Sequence, residues 1–170
     1  MYVCRTDCVY HYLINDDSVA DSIIQNGLLP LSSFPESPRW KLINQHLPGV
    51  FESLYTLFAE PILKKPYTNS GIFLTPIDFH QMTDLPIATC TRLSIPTSAI
   101  DADSASLTYE LGGQRVVLAF DTQALREVQT QWTEDMVRAW FGRDNSRMFF
   151  YVPQVVTYQD RIPISADWVQ

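Results

Sequence analysis

Two adjacent glycines in the second half of the chain, Gly112 and Gly113, constrain the fold more than any other feature of the sequence. They separate two strand-like segments, residues 107–111 and 115–120. Glycine accepts the positive φ that both positions of a tight hairpin turn require, so the pair predicts an antiparallel β-hairpin. Residues 116–120 read VVLAF, an unbroken apolar run. Such a run is typical of a strand covered on both faces, and we expect it at the centre of a sheet.

The rest of the chain adds both helices and further strands. Short β-branched and aromatic runs predict strands, and apolar residues at helical spacing behind a capping residue predict helices. The predicted strands cover residues 9–14, 70–75, 88–95, 148–152 and 155–158. The predicted helices cover residues 19–26, 38–47, 50–60, 122–132 and 133–141. Because the helices lie early and late and do not alternate regularly with strands, we expect one α+β domain over residues 1–170.

Composition limits the possible partners. The chain has 170 residues, of which 46% are hydrophobic and 18% charged, so it can bury a core of its own. Its formal charge is −7, whereas proteins that coat nucleic acids are basic because they neutralise phosphates. Broad nucleic-acid binding is therefore not expected. A local basic pocket for a dinucleotide or a strand end remains compatible with this charge.

Nothing in the sequence predicts an export signal, a membrane span or a metal site. The first residues lack a basic region followed by an apolar one, and no apolar run approaches the roughly 20 residues that span a bilayer. The three cysteines, Cys4, Cys8 and Cys90, form no CxxC pair, and the three histidines are widely spaced. We therefore expect a soluble cytoplasmic protein with free thiols and no bound metal.

Common catalytic motifs are missing, which leaves the order of short segments as the guide to function. The chain has no GxxxxGK[ST], GxGxxG, HExxH or GxSxG. In chain order it has a strand with a histidine (VYHYLI), a helix that ends in NGLLP, the segment SGIFLTP, the strand RLSIP and the late stretch PQVVTYQDRIP. This order resembles the ADP-ribosyltransferase superfamily, in particular its H-Y-E branch with the DarT-type DNA-modifying toxins. The resemblance covers most of the chain, and each motif is short.

The resemblance implies a fold of two small split sheets with flanking helices, and NAD as a substrate. In this family the first-strand histidine, here His11, holds the nicotinamide ribose. Phe73 falls where an aromatic side chain lines the nicotinamide pocket, and the Thr75 hydroxyl would reach the ligand. Each residue also has a structural interpretation: His11 as a histidine bonded within a strand, Phe73 as sheet core, and Thr75 as a cap for the residues that follow it.

An arginine in the helical region between these strands would pair with the NAD pyrophosphate. Arg39 is the first candidate, and Arg92 and Arg147 are alternatives. Each of the three is also a plausible surface residue, so the sequence does not choose among them.

The chain departs from the family at the catalytic position. The family's glutamate opens a late strand, and the matching residue here is Gln154. A glutamine keeps a hydrogen bond to ribose but loses the negative charge that stabilises the cation formed when the nicotinamide bond breaks. Glu134 and Asp160 are the other carboxylates that could supply this charge. Glu134 is also explained by the preference for acids in the first turn of a helix.

Three functions follow from these residues. The resemblance implies an NAD-dependent mono-ADP-ribosyltransferase that modifies a nucleic-acid base or a protein side chain, in the manner of a toxin or a phage-defence effector. Gln154 leaves open a catalytically inactive relative that only binds NAD or a nucleotide. The low-charge acidic surface leaves open an interaction protein, such as an inhibitor or an antitoxin partner.

Overall fold

The structure, a computed structural model, describes residues 2–13, 17–63, 67, 70–141 and 152–170, with the side chains of all of these except residues 17, 18 and 39. Five helices and six strands lie in this part of the chain. The helices are α1 (Asp17–Asn26), α2 (Pro38–His46), α3 (Val50–Phe58), α4 (Thr122–Gln131) and α5 (Glu134–Phe141). The strands are β1 (Cys8–Leu13), β2 (Ile72–Leu74), β3 (Thr91–Pro96), β4 (Ala105–Leu111), β5 (Gln114–Ala119) and β6 (Gln154–Thr157). This mixture confirms the α+β class.

The strands form two antiparallel sheets. A small sheet pairs β1 with β3, and a larger sheet has the order β2-β6-β4-β5. The two sheets meet where Tyr10 of β1 and Thr75, just after β2, exchange backbone hydrogen bonds of 2.7 and 2.9 Å. Along its other edge β1 pairs with β3, and along its other edge β2 pairs with β6. The edges of β1 and β2 that face each other do not form a continuous ladder.

The glycine hairpin is confirmed, but the position of its second strand is not the expected one. Gly112 and Gly113 have φ of 60° and 78°, and Leu111 pairs with Gln114 across the turn. However, β5 is the strand at one edge of the larger sheet, and β6 and β4 are its two central strands. The expectation of a central VVLAF strand was wrong: β5 is an edge strand whose residues are partly buried or exposed, so the apolar run did not mark a strand covered on both faces.

Other predicted boundaries shift for local reasons. The strand expected over residues 88–95 begins only at Thr91, because Pro86–Thr89 form a 3-10 turn that starts at the proline. The helix α1 begins at Asp17, one residue before the expected Ser18 cap. The Ser37-Pro38 start of α2 is as expected, with the Ser37 hydroxyl accepting a hydrogen bond from the Trp40 backbone N–H at 3.4 Å. The expected strand at 148–152 lies outside the described residues except for its last member.

The glycine of the NGL segment joins α1 to the C-terminal part of the chain. Gly27 has φ 83°, and a Cβ built there would lie 2.9 Å from the Ile162 carbonyl oxygen. The next residue, Leu28, exchanges backbone hydrogen bonds of 2.8 and 2.9 Å with Ile162. A left-handed backbone and a close crossing of two chain segments therefore both require glycine here.

The larger sheet is covered on both faces. Side chains alternate along a strand, so Leu74 of β2, Val155 of β6 and Leu107 of β4 share one face, which belongs to the main hydrophobic core with α4. The opposite face meets the end of α3, where the buried Ser106 hydroxyl donates to the Phe58 carbonyl oxygen at 3.1 Å. A smaller cluster of Tyr55, Ala59 and Leu63 extends this second layer. The second face is the one that carries the candidate site.

Two general findings concern the cysteines and the helices. All three cysteines are free, and burial raises the pKa of the Cys4 thiol from 9.0 to about 12. None of the helices described here has the length and apolar character needed to cross a membrane.

Candidate functional site

Strand register brings together three of the residues singled out from the sequence. Phe73 of β2 pairs with Val156 of β6, and Leu74 pairs with Val155. Continuing this register places Thr75 opposite Gln154, and alternation places Phe73, Thr75 and Gln154 on the same face of the larger sheet. Phe73 and Gln154 are separated by about 80 residues in sequence, so only the sheet makes them neighbours.

His11 reaches this region from the other sheet. Its Nδ1 lies 3.0 Å from the carbonyl oxygen of Phe73, across the facing edges of β1 and β2. A carbonyl only accepts, so this contact makes Nδ1 the protonated nitrogen, and in a neutral ring Nε2 is then an acceptor. The side chains of paired residues lie on the same face of two neighbouring strands. Tyr10 pairs with Thr75, so the side chain of Tyr10, and not that of His11, lies on the same face as Thr75. His11 therefore joins Phe73 through its backbone and not through a shared sheet face.

Thr75 holds the chain just before Gln154. Its hydroxyl donates to the Pro153 carbonyl oxygen at 2.8 Å and accepts from the Ile77 backbone N–H at 3.2 Å. These two bonds use the only hydrogen of the hydroxyl and one of its lone pairs. The cap-like interpretation of Thr75 thus describes what its side chain does, and the effect is to fix Pro153 against β2.

Gln154 opens β6 as the sequence predicted for the family's catalytic position. Only 4% of the residue is exposed, and it pairs directly with Thr108 of β4. Its side chain is neutral, and so are those of Thr75 and Thr108, which flank it on the neighbouring strands; the charged pair on this face, Glu110 and Arg115, lies farther along the β4–β5 hairpin. The arrangement can hold a polar group of a ligand through hydrogen bonds but contributes no negative charge of its own.

Glu134 lies in a different place. Its carboxylate accepts from Arg138 at 3.0 Å within α5, and Arg138 also bonds Asp84. Glu134 lines a groove of about 350 Å³ together with other polar residues and the N-terminal segment. The groove is lined by Tyr2, Val3, Gln129, Thr130, Trp132, Thr133, Glu134 and Asp135. His11, Phe73, Thr75 and Gln154 are not part of this lining, so the structure does not bring Glu134 to them.

Of the three candidate arginines, only Arg92 has its side chain within the described residues. The side chain of Arg39, which lies in α2, and all of Arg147 are outside the described residues. Arg92 is only 13% exposed and forms an ion pair with Asp78, which is 8% exposed. Its guanidinium also stacks over the Tyr10 ring, 4.6 Å from the centroid. Asp160 is exposed in a bend after β6.

Sequence reasoning missed the polar groups behind β1. The Tyr12 hydroxyl donates to the Ile77 carbonyl oxygen at 2.8 Å and accepts from the Phe79 N–H at 2.7 Å. Together with the Arg92–Asp78 pair, it fastens β1 and β3 to the segment that follows β2. No local pattern reveals these bonds, because the partners are 14 to 67 residues apart.

Thr108 was also missed, although the sequence carries a signal for it. In SLTYEL, polar residues alternate with apolar ones, so Ser106, Thr108 and Glu110 share a face. Ser106 and Thr108 are 0% and 4% exposed. A polar face that is buried in the middle of a sheet is a mark of a binding or structural polar network and not of plain core.

A second groove lies near the loop after α1. It has a volume of about 700 Å³, and its lining combines apolar side chains with Ser33, Glu36 and Ser37. The apolar members are Val19, Leu31, Phe34 and Pro35. The loop is tied to the start of the larger sheet, because the buried Ser70 hydroxyl, two residues before β2, donates to Ser32. Within the described ranges, no group of three His, Cys, Asp or Glu side chains is placed to hold a metal ion.

The chain matches no protein-family model, no curated protein and no solved structure.

Proposed function

We propose that this chain binds NAD where β1 and β2 face each other and transfers its ADP-ribose to a macromolecule. The observation that carries the proposal is the contact of His11 with Phe73 beside the Thr75–Pro153 bond that precedes Gln154. Phe73 and Thr75 are two residues apart, about 7 Å along a strand, so these groups lie within the span of one nicotinamide riboside.

In this proposal His11 and Gln154 contact the nicotinamide ribose. The His11 ring is oriented by the Phe73 carbonyl, which leaves Nε2 with the chemistry of a hydrogen-bond acceptor for a ribose hydroxyl. The backbone of β1 next to His11 supports the nicotinamide amide. The backbone N–H and C=O groups of successive residues point to alternate edges of a strand. His11 pairs with Leu93 of β3 and Tyr10 bonds Thr75, so the N–H and C=O of Tyr12 point away from β3 and toward β2.

The adenosine half of NAD would lie in the groove after α1. Its apolar lining by Leu31 and Phe34 suits a flat aromatic base, and its loop is joined to the strand that carries Phe73 through Ser32 and Ser70. The fold supports this division of the ligand because both regions are anchored on β2.

The reaction breaks the bond between nicotinamide and the ribose carbon, with nicotinamide leaving and the acceptor's nucleophile bonding that carbon. Positive charge develops on the ribose in the transition state. Gln154 keeps a hydrogen bond to the ribose but offers no charge to balance this cation. We therefore expect slow turnover, with nicotinamide release far below what a glutamate at this position would allow.

Nicotinamide release and NAD binding test the proposal. Purified protein incubated with NAD should release nicotinamide and should melt at a higher temperature when NAD is present. His11→Ala should abolish both effects, while His46→Ala, at an exposed position in α2, should preserve them. Neither nicotinamide release nor a melting shift with the wild-type protein would contradict the proposal.

The Gln154→Glu variant tests whether residue 154 occupies the catalytic position. Restoring the carboxylate should raise the rate of nicotinamide release by about 100- to 1000-fold, the range associated with one well-placed charge-stabilising group. The matched control is Gln159→Glu, which adds the same charge after β6. A Gln154→Glu protein that binds NAD and releases nicotinamide no faster than wild type would show that Gln154 does not occupy the catalytic position.

The second candidate is a non-catalytic NAD- or nucleotide-binding module, and the observation that favours it is Gln154 itself. In this case NAD raises the melting temperature of the wild-type protein and no nicotinamide is released.

The acceptor in the first candidate remains a nucleic-acid base or a protein side chain, and the toxin or phage-defence role is proposed together with it. Because the chain has a charge of −7, it should bind poorly along a long phosphate backbone. The charge therefore favours a single acceptor group.

A further inference from the structure

The groove of about 350 Å³ that Glu134 lines, here called the α5 groove, has no part in the proposed NAD site. Its walls come from the last turn of α4, the two residues between the helices, the first turn of α5 and the N-terminal segment. Its lining residues, all within the described chain, include the carboxylates of Glu134 and Asp135 and no cationic side chain. Acids are favoured in the first turn of any helix, so these two carboxylates alone do not make a binding site.

Trp132 supplies a second, independent observation. It lines the α5 groove and is only 1% exposed. Its indole N–H is buried and has no hydrogen-bond partner among the described residues. Buried donors nearly always have a partner, because the hydration that they lose is otherwise not replaced. Phenylalanine would fill the core here without that loss. The N–H at position 132 therefore indicates an acceptor that comes from outside the chain, by way of the groove.

The other polar groups at the start of α5 differ in how far they are already bonded. The Thr133 hydroxyl accepts from the Met136 backbone N–H at 3.3 Å, and Glu134 is paired with Arg138 at 3.0 Å. Asp135 is exposed, and no described cation forms an ion pair with it. The groove thus offers a ligand one anionic group and one buried N–H donor. Trp132 and Asp135 are three residues apart, so their Cα atoms lie at most about 11 Å from each other.

We propose that the α5 groove binds an arginine-bearing segment of a partner protein, with the guanidinium on Asp135 and a backbone carbonyl of the segment on the Trp132 N–H. A guanidinium only donates and a carbonyl only accepts, so this pair of groups matches the pair in the groove. A phosphate or a carboxylate would also accept from Trp132, but the two acids of the groove repel it. The proposal is independent of NAD binding.

The size and surroundings of the α5 groove suit this ligand. A volume of about 350 Å³ is at the lower end of the range for ligand pockets, which favours one side chain with its peptide unit. Tyr2, 58% exposed, also lines the groove, and a guanidinium stacks on aromatic rings. The chain's charge of −7 attracts a basic partner over longer distances.

NMR titration with blocked tripeptides tests the proposal. The probe is acetyl-Gly-Arg-Gly-amide, and its matched control carries citrulline, which has nearly the shape of arginine but no charge. The Trp132 indole proton, assigned from triple-resonance spectra of the wild type, should shift downfield with the arginine peptide because it gains an acceptor. The citrulline peptide should bind about 3- to 10-fold more weakly, as expected for the loss of one charged hydrogen bond.

Substitutions assign the two contacts. Asp135→Asn should weaken binding of the arginine peptide by about 3- to 10-fold and leave binding of the citrulline peptide nearly unchanged. Asp21→Asn removes the same charge from an exposed position in α1 and should change neither affinity by more than about 2-fold. Trp132→Phe should weaken binding of both peptides by about 2- to 10-fold, because both carry the carbonyl. If Trp132→Phe does not fold, as judged by circular dichroism, the wild-type indole shift decides this contact.

Three results would overturn the proposal. The first is a wild-type spectrum in which millimolar arginine peptide shifts no resonance of the groove. The second is equal binding of the arginine and citrulline peptides, or an Asp135→Asn protein that binds like Asp21→Asn. The third is peptide binding that leaves the Trp132 indole proton unmoved. Because NAD is absent from the titration, each result stands whether or not the protein binds NAD.

Discussion

At the scale of single residues, the thiol of Cys4 lies apart from the proposed chemistry, in the hydrophobic core. Cys4 is fully buried, and its carbonyl oxygen accepts a hydrogen bond from the Gln129 side chain of α4 at 3.0 Å. Its sulfur lies within the main hydrophobic core. Burial disfavours the thiolate, which is why the pKa rises to about 12.

We predict that Cys4 makes the protein sensitive to alkali. The thiol stays protonated in the folded state up to about pH 12 but ionises near pH 9.0 once unfolded. Its contribution to stability is therefore complete below pH 9 and is lost as the pH rises from 9 toward 12. The slope is at most about 1.4 kcal/mol per pH unit.

Urea denaturation at pH 8 and pH 10, for wild type and Cys4→Ala, measures this effect. The buried tyrosines titrate in the same range in both proteins, so the difference between the two slopes isolates Cys4. Wild type should lose more stability than Cys4→Ala between the two pH values. Equal losses would show that the thiol is hydrated in the folded state.

Single residues also show what the sequence could and could not predict about the site. His11, Phe73 and Gln154 were identified because each lies in a short segment that resembles a known family. The hydrogen-bond partner of His11 was not predictable, since it is a backbone carbonyl 62 residues away. Thr108 was overlooked because a threonine in a strand has high β-propensity, and only its burial marks it as unusual.

At the scale of elements, local signals predicted the hairpin and the capped helix α2, whose determinants lie within four residues of one another. Position in a sheet was not predictable in the same way. VVLAF was expected at the centre of the sheet, and it forms the edge strand β5, whereas the shorter β6 is fully buried. Strand order depends on pairings between distant segments, and no single segment encodes it.

We predict that Gly27→Ala is much more destabilising than Gly112→Ala. Both glycines have positive φ, so both substitutions add backbone strain of about 1 kcal/mol. Only at Gly27 would the new methyl group also meet a backbone atom, the Ile162 oxygen at 2.9 Å; at Gly112 nothing lies within 4 Å. Gly27→Ala should therefore cost about 1–3 kcal/mol more.

Urea titrations of the two variants provide this comparison, because the shared backbone strain cancels. A difference close to zero would mean that the crossing of residues 27 and 162 relaxes without cost. A larger loss in Gly112→Ala would contradict the prediction outright.

At the scale of the whole molecule, the relation between the two sheets depends on a few side chains behind β1. The buried pair of Arg92, on β3, and Asp78, after β2, joins the small sheet to the segment that leaves the larger one. Asp78 also accepts from Gln81 at 2.9 Å, and Arg92 bonds the side chain of Gln170 at 2.9 Å. The pair thus holds three separate parts of the chain together.

We predict that Asp78→Ala lowers the free energy of unfolding by about 3–5 kcal/mol, because it leaves a buried guanidinium without its partner. Removing both charges in Asp78→Ala/Arg92→Met should recover much of this loss. The exposed pair of Lys41 and Glu36 supplies the control, and Glu36→Ala should cost less than about 1 kcal/mol. Chemical denaturation of the four proteins measures these values, and an Asp78→Ala protein as stable as Glu36→Ala would show that water reaches Arg92.

The position of β6 inside the larger sheet has a consequence for the synthesis of the protein. β6 lies between β2 and β4, so neither β2 nor the β4–β5 hairpin has its neighbour until residue 157 has left the ribosome exit tunnel. The larger sheet therefore stays incomplete until β6 has been synthesised, and until then β2 and β4 lack the strand between them. A chain that stops between residues 75 and 153 contains His11 and Phe73 but lacks Gln154 and the strand that joins β2 to β4.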